Sequence, residues 1–207
     1  SYAKLSIFDA SPRPQSEQTF QTYEVSATEV DPSCCDLQTR NAVAFALHLI
    51  QEHGVRLLIP QGHPEWGLAT FYNLLGANLK LADYEMQIFS IDDFMTKDGK
   101  YCFDKTKIPS ALVGTNHNVK LALHNRDRKK VVIAANHNFL NEHVRIFDTI
   151  AAEKRCKSAV LRILPETVDL AIVLGEGNAK QIPPNQFERT YRLIQNPAKE
   201  AFETIVG

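Results

Sequence analysis

The sequence predicts an α/β fold, namely a three-layer sandwich in which helices cover a mainly parallel sheet. Apolar runs of strand length alternate along the chain with segments in which apolar residues recur at helical spacing. Strands that alternate with helices in this way are typical of a parallel sheet. Because one core can serve a chain of up to roughly 250 residues, we predict a single α/β domain over residues 33–207, preceded by a polar N-terminal arm, residues 1–32.

The first predicted strands and the first predicted helix lie in the arm and in the segment that follows it. Two runs in the arm, 5–8 and 20–25, alternate like strands. A helix is predicted over 34–53, because a proline close to its first turn is typical of helix starts and Gly54 can adopt the left-handed conformation that ends helices. The short apolar run Val55–Ile59 then predicts a strand.

The middle of the chain continues the alternation. Residues 68–80 carry helical spacing, and the apolar run Met86–Ile91 predicts the next strand. A polar stretch, 96–106, is expected to cross the surface. The runs 112–114 and 119–123 are then possible short strands.

The remaining elements complete the predicted sheet. Val131–Ala135 is a clear strand candidate, and the apolar residues of 139–154 fall on one helical stripe. Ser158–Leu164 is a further strand candidate. Val168–Leu174 is almost uninterrupted apolar sequence, as expected for a strand covered on both faces. The last predicted helix spans 185–195.

Composition and charge exclude several classes of protein. The net charge of -1 argues against a surface built to hold nucleic acid or anionic lipid. No apolar run approaches the ~20 residues that span a bilayer, and no signal-peptide pattern is present. The four cysteines show neither disulfide-framework nor metal spacing, which favours reduced thiols. We therefore expect a cytoplasmic protein with no membrane partner.

The loop between the first strand of the domain and the next helix is a candidate phosphate site. Gly62 and Gly67 allow close backbone approach, and the N-terminus of the following helix concentrates N–H donors and positive dipole. Gln61 and His63 lie in the same loop. The alternative is a tight strand-to-helix turn with no ligand. The loop matches neither the Walker pattern nor the dinucleotide fingerprint, and we predict no cofactor.

Other polar residues follow predicted strands. Asp92 and Asp93 end a strand, where a carboxylate can act as a general base or simply cap a turn. Two Asn-His-Asn triplets, 116–118 and 136–138, each follow a strand-like run and suit hydrogen bonding to a polar ligand. Residues 63–65 match half of a zinc deaminase signature, but the Pro-Cys-x-x-Cys half is absent, so we predict no metal site.

The one dense basic run, residues 124–130, has an alternative interpretation as a nucleic-acid contact. It lacks interleaved aromatic residues for base stacking. We therefore interpret it as a solvated loop and predict no nucleic-acid partner.

The residues from Leu57 to Pro64, Tyr72, and the stretch Phe89–Phe94 resemble the corresponding parts of the glucosamine-6-phosphate isomerase and 6-phosphogluconolactonase superfamily. In that family a strand leads to a glycine-rich phosphate loop, a helix with a tyrosine, and a strand that ends in Asp-Glu. The match weakens over residues 108–116 and over Val168–Gly175 with Lys180. The family's Gly-Asp-Gly-His stretch has no counterpart, and Gly62-His63-Pro64 replaces its Gly-Gly-Ser/Thr-Pro.

The resemblance implies a small phosphorylated ligand, such as a sugar phosphate, and isomerase or lactonase-type chemistry. The catalytic candidates are Asp92 and Asp93. The ligand-binding candidates are Gln61, Gly62, His63, Gly67, Asn116, Gly175 and Lys180. The alternative is a catalytically inactive interaction or regulatory protein that keeps the fold. In that case the N-terminal arm would contact a protein partner or a second copy of the chain.

Overall fold

A computed structural model describes residues 5–6, 22–26, 32–165, 167–178 and 182–195, and it shows an α/β fold. The strands are β1 (Leu5–Ser6), β2 (Thr22–Ser26), β3 (Val55–Gln61), β4 (Glu85–Phe89), β5 (Thr96–Lys97), β6 (Lys100–Tyr101), β7 (Lys130–Ala134) and β8 (Lys157–Leu164). The helices are α1 (Pro32–Gln51), α2 (Leu68–Leu81), α3 (Ile108–Ala122), α4 (Asn141–Glu153), α5 (Val168–Gly175) and α6 (Pro184–Gln195). No helix in this part of the chain is long and apolar enough to cross a membrane.

Six strands form the main sheet in the order β1-β2-β8-β3-β7-β4. The five strands from β2 to β4 run parallel, and β1 pairs antiparallel with the outer edge of β2. The short strands β5 and β6 form a separate hairpin. The predicted mainly parallel sheet is therefore confirmed.

Helices cover both faces of the sheet. Leu58 and Ile133 are buried against α1 and α2, whereas their chain neighbours Leu57 and Val132 are buried against α3 and α4. Successive residues of a strand point to opposite faces, so α1 and α2 form one outer layer and α3 and α4 the other. This arrangement confirms the three-layer sandwich.

Most predicted elements are found within a few residues of their predicted positions. The helices predicted over 34–53, 68–80, 139–154 and 185–195 are α1, α2, α4 and α6. The strands predicted over Val55–Ile59, Met86–Ile91, Val131–Ala135 and Ser158–Leu164 are β3, β4, β7 and β8. The strand-like runs 5–8 and 20–25 overlap β1 and β2, and β2 pairs with β8 inside the main sheet. The rest of the arm lies outside the described residues.

The prediction of a strand over Val168–Leu174 is wrong, because this segment is the helix α5. Thr167 caps it, since its hydroxyl accepts a hydrogen bond from the backbone N–H of Leu170 at 3.2 Å. A short apolar run is compatible with either a buried strand or a buried helix. Here it is a helix that packs between α6 and the Trp66 turn.

The possible strands over 112–114 and 119–123 are also wrong, because 112–122 lie in α3 and Leu123 ends that helix. Ala111, Thr115 and Val119 are buried at a spacing of four residues, which is the spacing of one helix face. Gly114 sits inside α3 against the ring of Phe94, where a Cβ atom would overlap the ring. The close packing of the two segments therefore requires glycine at this position.

Candidate functional site

The connections of the sheet identify one position where a crevice is expected. Helices α1 and α2 carry the chain from β2 through β3 to β4 on one face, and α3 and α4 carry it back through β7 to β8 on the other. The neighbouring strands β3 and β7 are therefore followed by helices on opposite faces. In open parallel sheets, ligands bind outside the carboxyl ends of the strands at such a switch point. We call this place the switch-point crevice, formed by residues 61–63 and 136–138.

The β3 side of the crevice is tightly packed. Gln61 is 1% exposed, donates from Nε2 to the Asn138 carbonyl at 3.0 Å, and accepts at Oε1 from Arg162 Nε at 3.0 Å. The N–H of Gly62 donates to the carbonyl of His137 at 3.4 Å. A Cβ atom on Gly62 would lie 2.6 Å from the carbonyl oxygen of Ile163, so the close approach of these chains requires glycine.

Asn138 connects the β7 side of the crevice to β3 through a side-chain hydrogen bond. Its Nδ2 donates to the carbonyls of Pro60 at 2.8 Å and Ala134 at 2.9 Å. Its backbone is left-handed, with φ of 51°, a conformation that asparagine adopts more readily than most residues. Its Oδ1 atom is buried and has no hydrogen-bond partner among the described residues. The crevice therefore holds one buried acceptor without a donor.

The β4 side is more accessible and contains Asn136. Its Oδ1 accepts from the N–H of Ile91 at 2.9 Å and so connects the ends of β4 and β7. Its amide nitrogen makes no hydrogen bond within the described part of the chain. Exposure rises from Gln61, at 1%, through Asn136, at 9%, to the half-buried Asp92. Of these residues, those near β4 are therefore the more accessible to solvent.

The two candidate catalytic carboxylates have different surroundings. Asp93 Oδ2 accepts from the N–H of Ser90 at 2.9 Å, while Ser90 Oγ accepts from the N–H of Asp92 at 2.9 Å, which is a capping box at a short 3₁₀ turn. Asp92 Oδ1 instead accepts from the Tyr101 hydroxyl at 3.1 Å. Asp93 is thus held in a structural cap, whereas the half-buried Asp92 has a side chain outside this capping box and contacts the hairpin of β5 and β6.

Aromatic rings cover the crevice on the side away from β4. The His63 ring lies 4.5 Å from that of Phe187 on α6 and 5.1 Å from that of His137. His63 Nδ1 also accepts from the N–H of Glu65 at 3.2 Å, which holds the loop in a 3₁₀ turn. The indole of Trp66 donates to the Ala171 carbonyl of α5 at 3.1 Å. Helices α5 and α6 therefore cover the loop that the sequence predicts to hold phosphate.

The remaining predicted ligand residues have other places in the fold or lie outside the described residues. Gly67, with φ of 93°, begins α2, whose N-terminus has no side-chain cap. Asn116 lies in α3 on the second face, so the two Asn-His-Asn triplets do not meet at one sheet edge. Gly175 is buried where a Cβ atom would overlap the ring of Phe187. Lys180 lies outside the described residues.

The site also includes residues that the sequence did not single out. Arg162 is the one charged residue inside the apolar run of β8, and this interruption could have identified it. Phe187 gives no sequence signal, because its contact with His63 depends on the fold.

The basic run 124–130 lies at the opposite end of the sheet, before β7. Lys129 Nζ lies 4.2 Å from the centre of the Tyr84 ring, and Lys130 forms an ion pair with Glu85 at 3.0 Å. Two of its cations therefore have intramolecular partners. Within the described ranges, no group of three or more His, Cys, Asp and Glu side chains is placed to hold a metal ion.

Comparison of the chain with models of protein families and with curated proteins found no match.

Proposed function

We propose that this protein binds a small phosphorylated metabolite, such as a sugar phosphate, in the switch-point crevice. The observation that carries the proposal is that β3 and β7, adjacent in the sheet and followed by helices on opposite faces, bring polar groups together at their carboxyl ends. This is where α/β sheets bind ligands. The β3 loop is also the segment that resembles a sugar-phosphate family.

The groups on the accessible side divide into donors and acceptors. The Asn136 amide nitrogen and the ring of His137 supply donors for phosphate oxygens. Asp92 supplies an acceptor for sugar hydroxyl groups, whereas the Oδ1 atom of Asn138 is buried. This division matches a molecule that carries an anionic group at one end and hydroxyl groups along its body.

Asp92 is also the residue that would act as a general base, if the bound sugar reacts. A carboxylate can remove a proton from a substrate carbon or from water when it lies within hydrogen-bond reach. Loss of isomerase or lactonase turnover in Asp92→Asn, with ligand binding retained, would assign it that role. Binding without turnover in the wild type would identify a sugar-phosphate sensor.

A thermal-shift screen tests the binding proposal, with glucose 6-phosphate, fructose 6-phosphate, ribose 5-phosphate, AMP and inorganic phosphate as probes. A ligand at a hundredfold excess over its Kd adds about 2.7 kcal/mol to the free energy of unfolding. For a domain of this size that corresponds to a rise in Tm of roughly 5–10 °C. No rise with any phosphorylated probe would contradict the proposal.

Two variants locate the binding. Asn136→Asp keeps the acceptor for the Ile91 N–H but replaces the amide donor by a negative charge, so it should abolish the shift caused by ligand. His137→Phe keeps the ring packing and removes the ring nitrogens, so it should weaken binding. Asn118→Asp is the matched control, because it makes the same charge change in α3. Equal shifts in Asn136→Asp and in this control would place the ligand elsewhere.

A second candidate function is a non-enzymatic interaction protein, favoured by the burial of the β3 loop. His63 is 4% exposed, and α5 and α6 pack over it. In that case the arm would contact a partner or a second copy. Deleting residues 1–20 removes β1 and keeps β2 in the sheet. Loss of oligomer or partner from a folded truncation, measured by light scattering, would favour this function. An unchanged state together with sugar-phosphate binding would favour the first.

A further inference from the structure

A second concave site lies between α3 and α4, away from the carboxyl edge of the sheet. This groove has a volume of about 440 Å³, within the range of roughly 300–1,000 Å³ that small-molecule sites occupy. Its lining is contributed by Asn116, His117, Lys120, Arg145, Ile146, Thr149, Ile150 and Glu153. It therefore includes two residues of the Asn-His-Asn triplet that has no place in the switch-point crevice.

The two helices present matching polar rows to the groove. Lys120 of α3 forms an ion pair with Glu153 of α4 at 2.5 Å. Both helices lead from one parallel strand to the next, so they run in the same direction. One helical turn before this pair, Asn116 therefore lies alongside Thr149. The side chains of two separate elements thus face a single space.

Several polar groups in the groove have no partner among the described residues. Within the described ranges, the side chains of Asn116, His117, Arg145 and Thr149 make no hydrogen bond or ion pair. Glu153 is already paired, and the hydrogen bond from the Lys120 ammonium lowers the pKa of its carboxyl. Lys120 and Arg145 together outweigh this single carboxylate, so the groove carries net positive charge.

An apolar surface lies beside these polar groups. Ile150 is buried at 7% exposure, and Ile146 is 45% exposed at the groove. A guanidinium that has five donors and no carboxylate partner matches a carboxylate or a phosphate group. The isoleucines match a short carbon skeleton attached to that group.

We propose that the groove between α3 and α4 binds a small organic anion, held at its carboxylate or phosphate group by Arg145. Asn116, His117 and Thr149 donate further hydrogen bonds, and the carbon skeleton lies on Ile146. The site is separate from the switch-point crevice and does not depend on the function proposed for it.

The test is a titration of ¹⁵N-labelled protein followed by NMR, with inorganic phosphate in one arm and succinate in the other. Sodium chloride keeps the ionic strength constant in both arms. We expect saturable shifts of the backbone amides of 116–120 and 145–153 in at least one arm, and the responding arm identifies the anionic group. Amides of 61–63 and 136–138 report on the crevice separately. The absence of a saturable shift from both anions would overturn the proposal.

Substitutions of three exposed residues test whether the anion binds to Arg145. Arg145→Gln should weaken binding about tenfold, the loss expected for a charge-assisted hydrogen bond. Glu153→Gln should tighten it several-fold, because it removes a negative charge and releases Lys120. Arg128→Gln is the matched charge control outside the groove and should leave the Kd unchanged. An unchanged Kd in Arg145→Gln, or weaker binding in Glu153→Gln, would contradict the assignment.

Discussion

Asn138 provides the strongest test of how the switch-point crevice is built. Replacing it by alanine removes the donor that serves the carbonyls of Pro60 and Ala134. A buried acceptor left without its donor costs about 1–3 kcal/mol. The φ of 51° adds a cost of about 1–2 kcal/mol for a residue that disfavours left-handed backbone. We therefore expect Asn138→Ala to lower the free energy of unfolding by about 3–8 kcal/mol.

Urea unfolding followed by circular dichroism measures this loss. Asn138→Gly loses the same hydrogen bonds without the strain, so it should be more stable than Asn138→Ala by on the order of 1 kcal/mol. Asn118→Ala is the matched control, because Asn118 has no such bonds in α3, and it should change stability by about 0.5 kcal/mol or less. A loss of less than about 3 kcal/mol in Asn138→Ala, or a higher stability of the alanine variant than of the glycine variant, would contradict this role of Asn138.

Three further predictions concern the covering helices and pH. Trp66→Phe removes the indole hydrogen bond to Ala171 and should lower the free energy of unfolding in urea by about 1 kcal/mol. An unchanged urea midpoint would show that this bond does not stabilise the position of α5. Gly175→Ala places a Cβ atom against Phe187 and should lower the free energy of unfolding by about 1–3 kcal/mol. An additional Phe187→Leu change should restore part of this loss. A Gly175→Ala variant as stable as the wild type would contradict the close packing. Burial lowers the pKa of His143 below its usual 6.5, so the folded state favours the neutral ring. The free energy of unfolding should therefore be highest above pH 6.5 and should decrease as the pH falls below that value, because the unfolded chain binds the proton more readily. Between about pH 8 and pH 5, the free energy of unfolding should decrease less steeply in His143→Gln than in the wild type. Equal slopes in the two proteins would refute the effect.

The sequence predicts those elements whose local pattern agrees with their environment. The strands β3, β4, β7 and β8 are apolar runs bounded by turns, and α4 has a single apolar stripe. The helix α5 could not be recognised, because its apolar residues fit a buried strand equally well and only tertiary packing decides between the two. In α3, Gly114 is required by close contact with Phe94, which only the tertiary structure reveals.

Only those features of the candidate site that depend on local sequence could be predicted. Its position at the ends of β3 and β4 follows from local sequence. The pairing of Gln61 with Arg162 and of Asn138 with Pro60 depends on strand order, since these residues are 101 and 78 positions apart. Strand order is a property of the whole fold, so no local pattern could have indicated which triplet joins the crevice.

We have proposed that a phosphorylated ligand binds between the carboxyl ends of β3 and β7. The most direct test is a crystal structure with the sugar phosphate that gives the largest rise in Tm. We expect a phosphate group within hydrogen-bond distance of Asn136 or His137, with sugar hydroxyl groups near Asp92. Density for the ligand at another surface, or an empty crevice at a saturating ligand concentration, would contradict it.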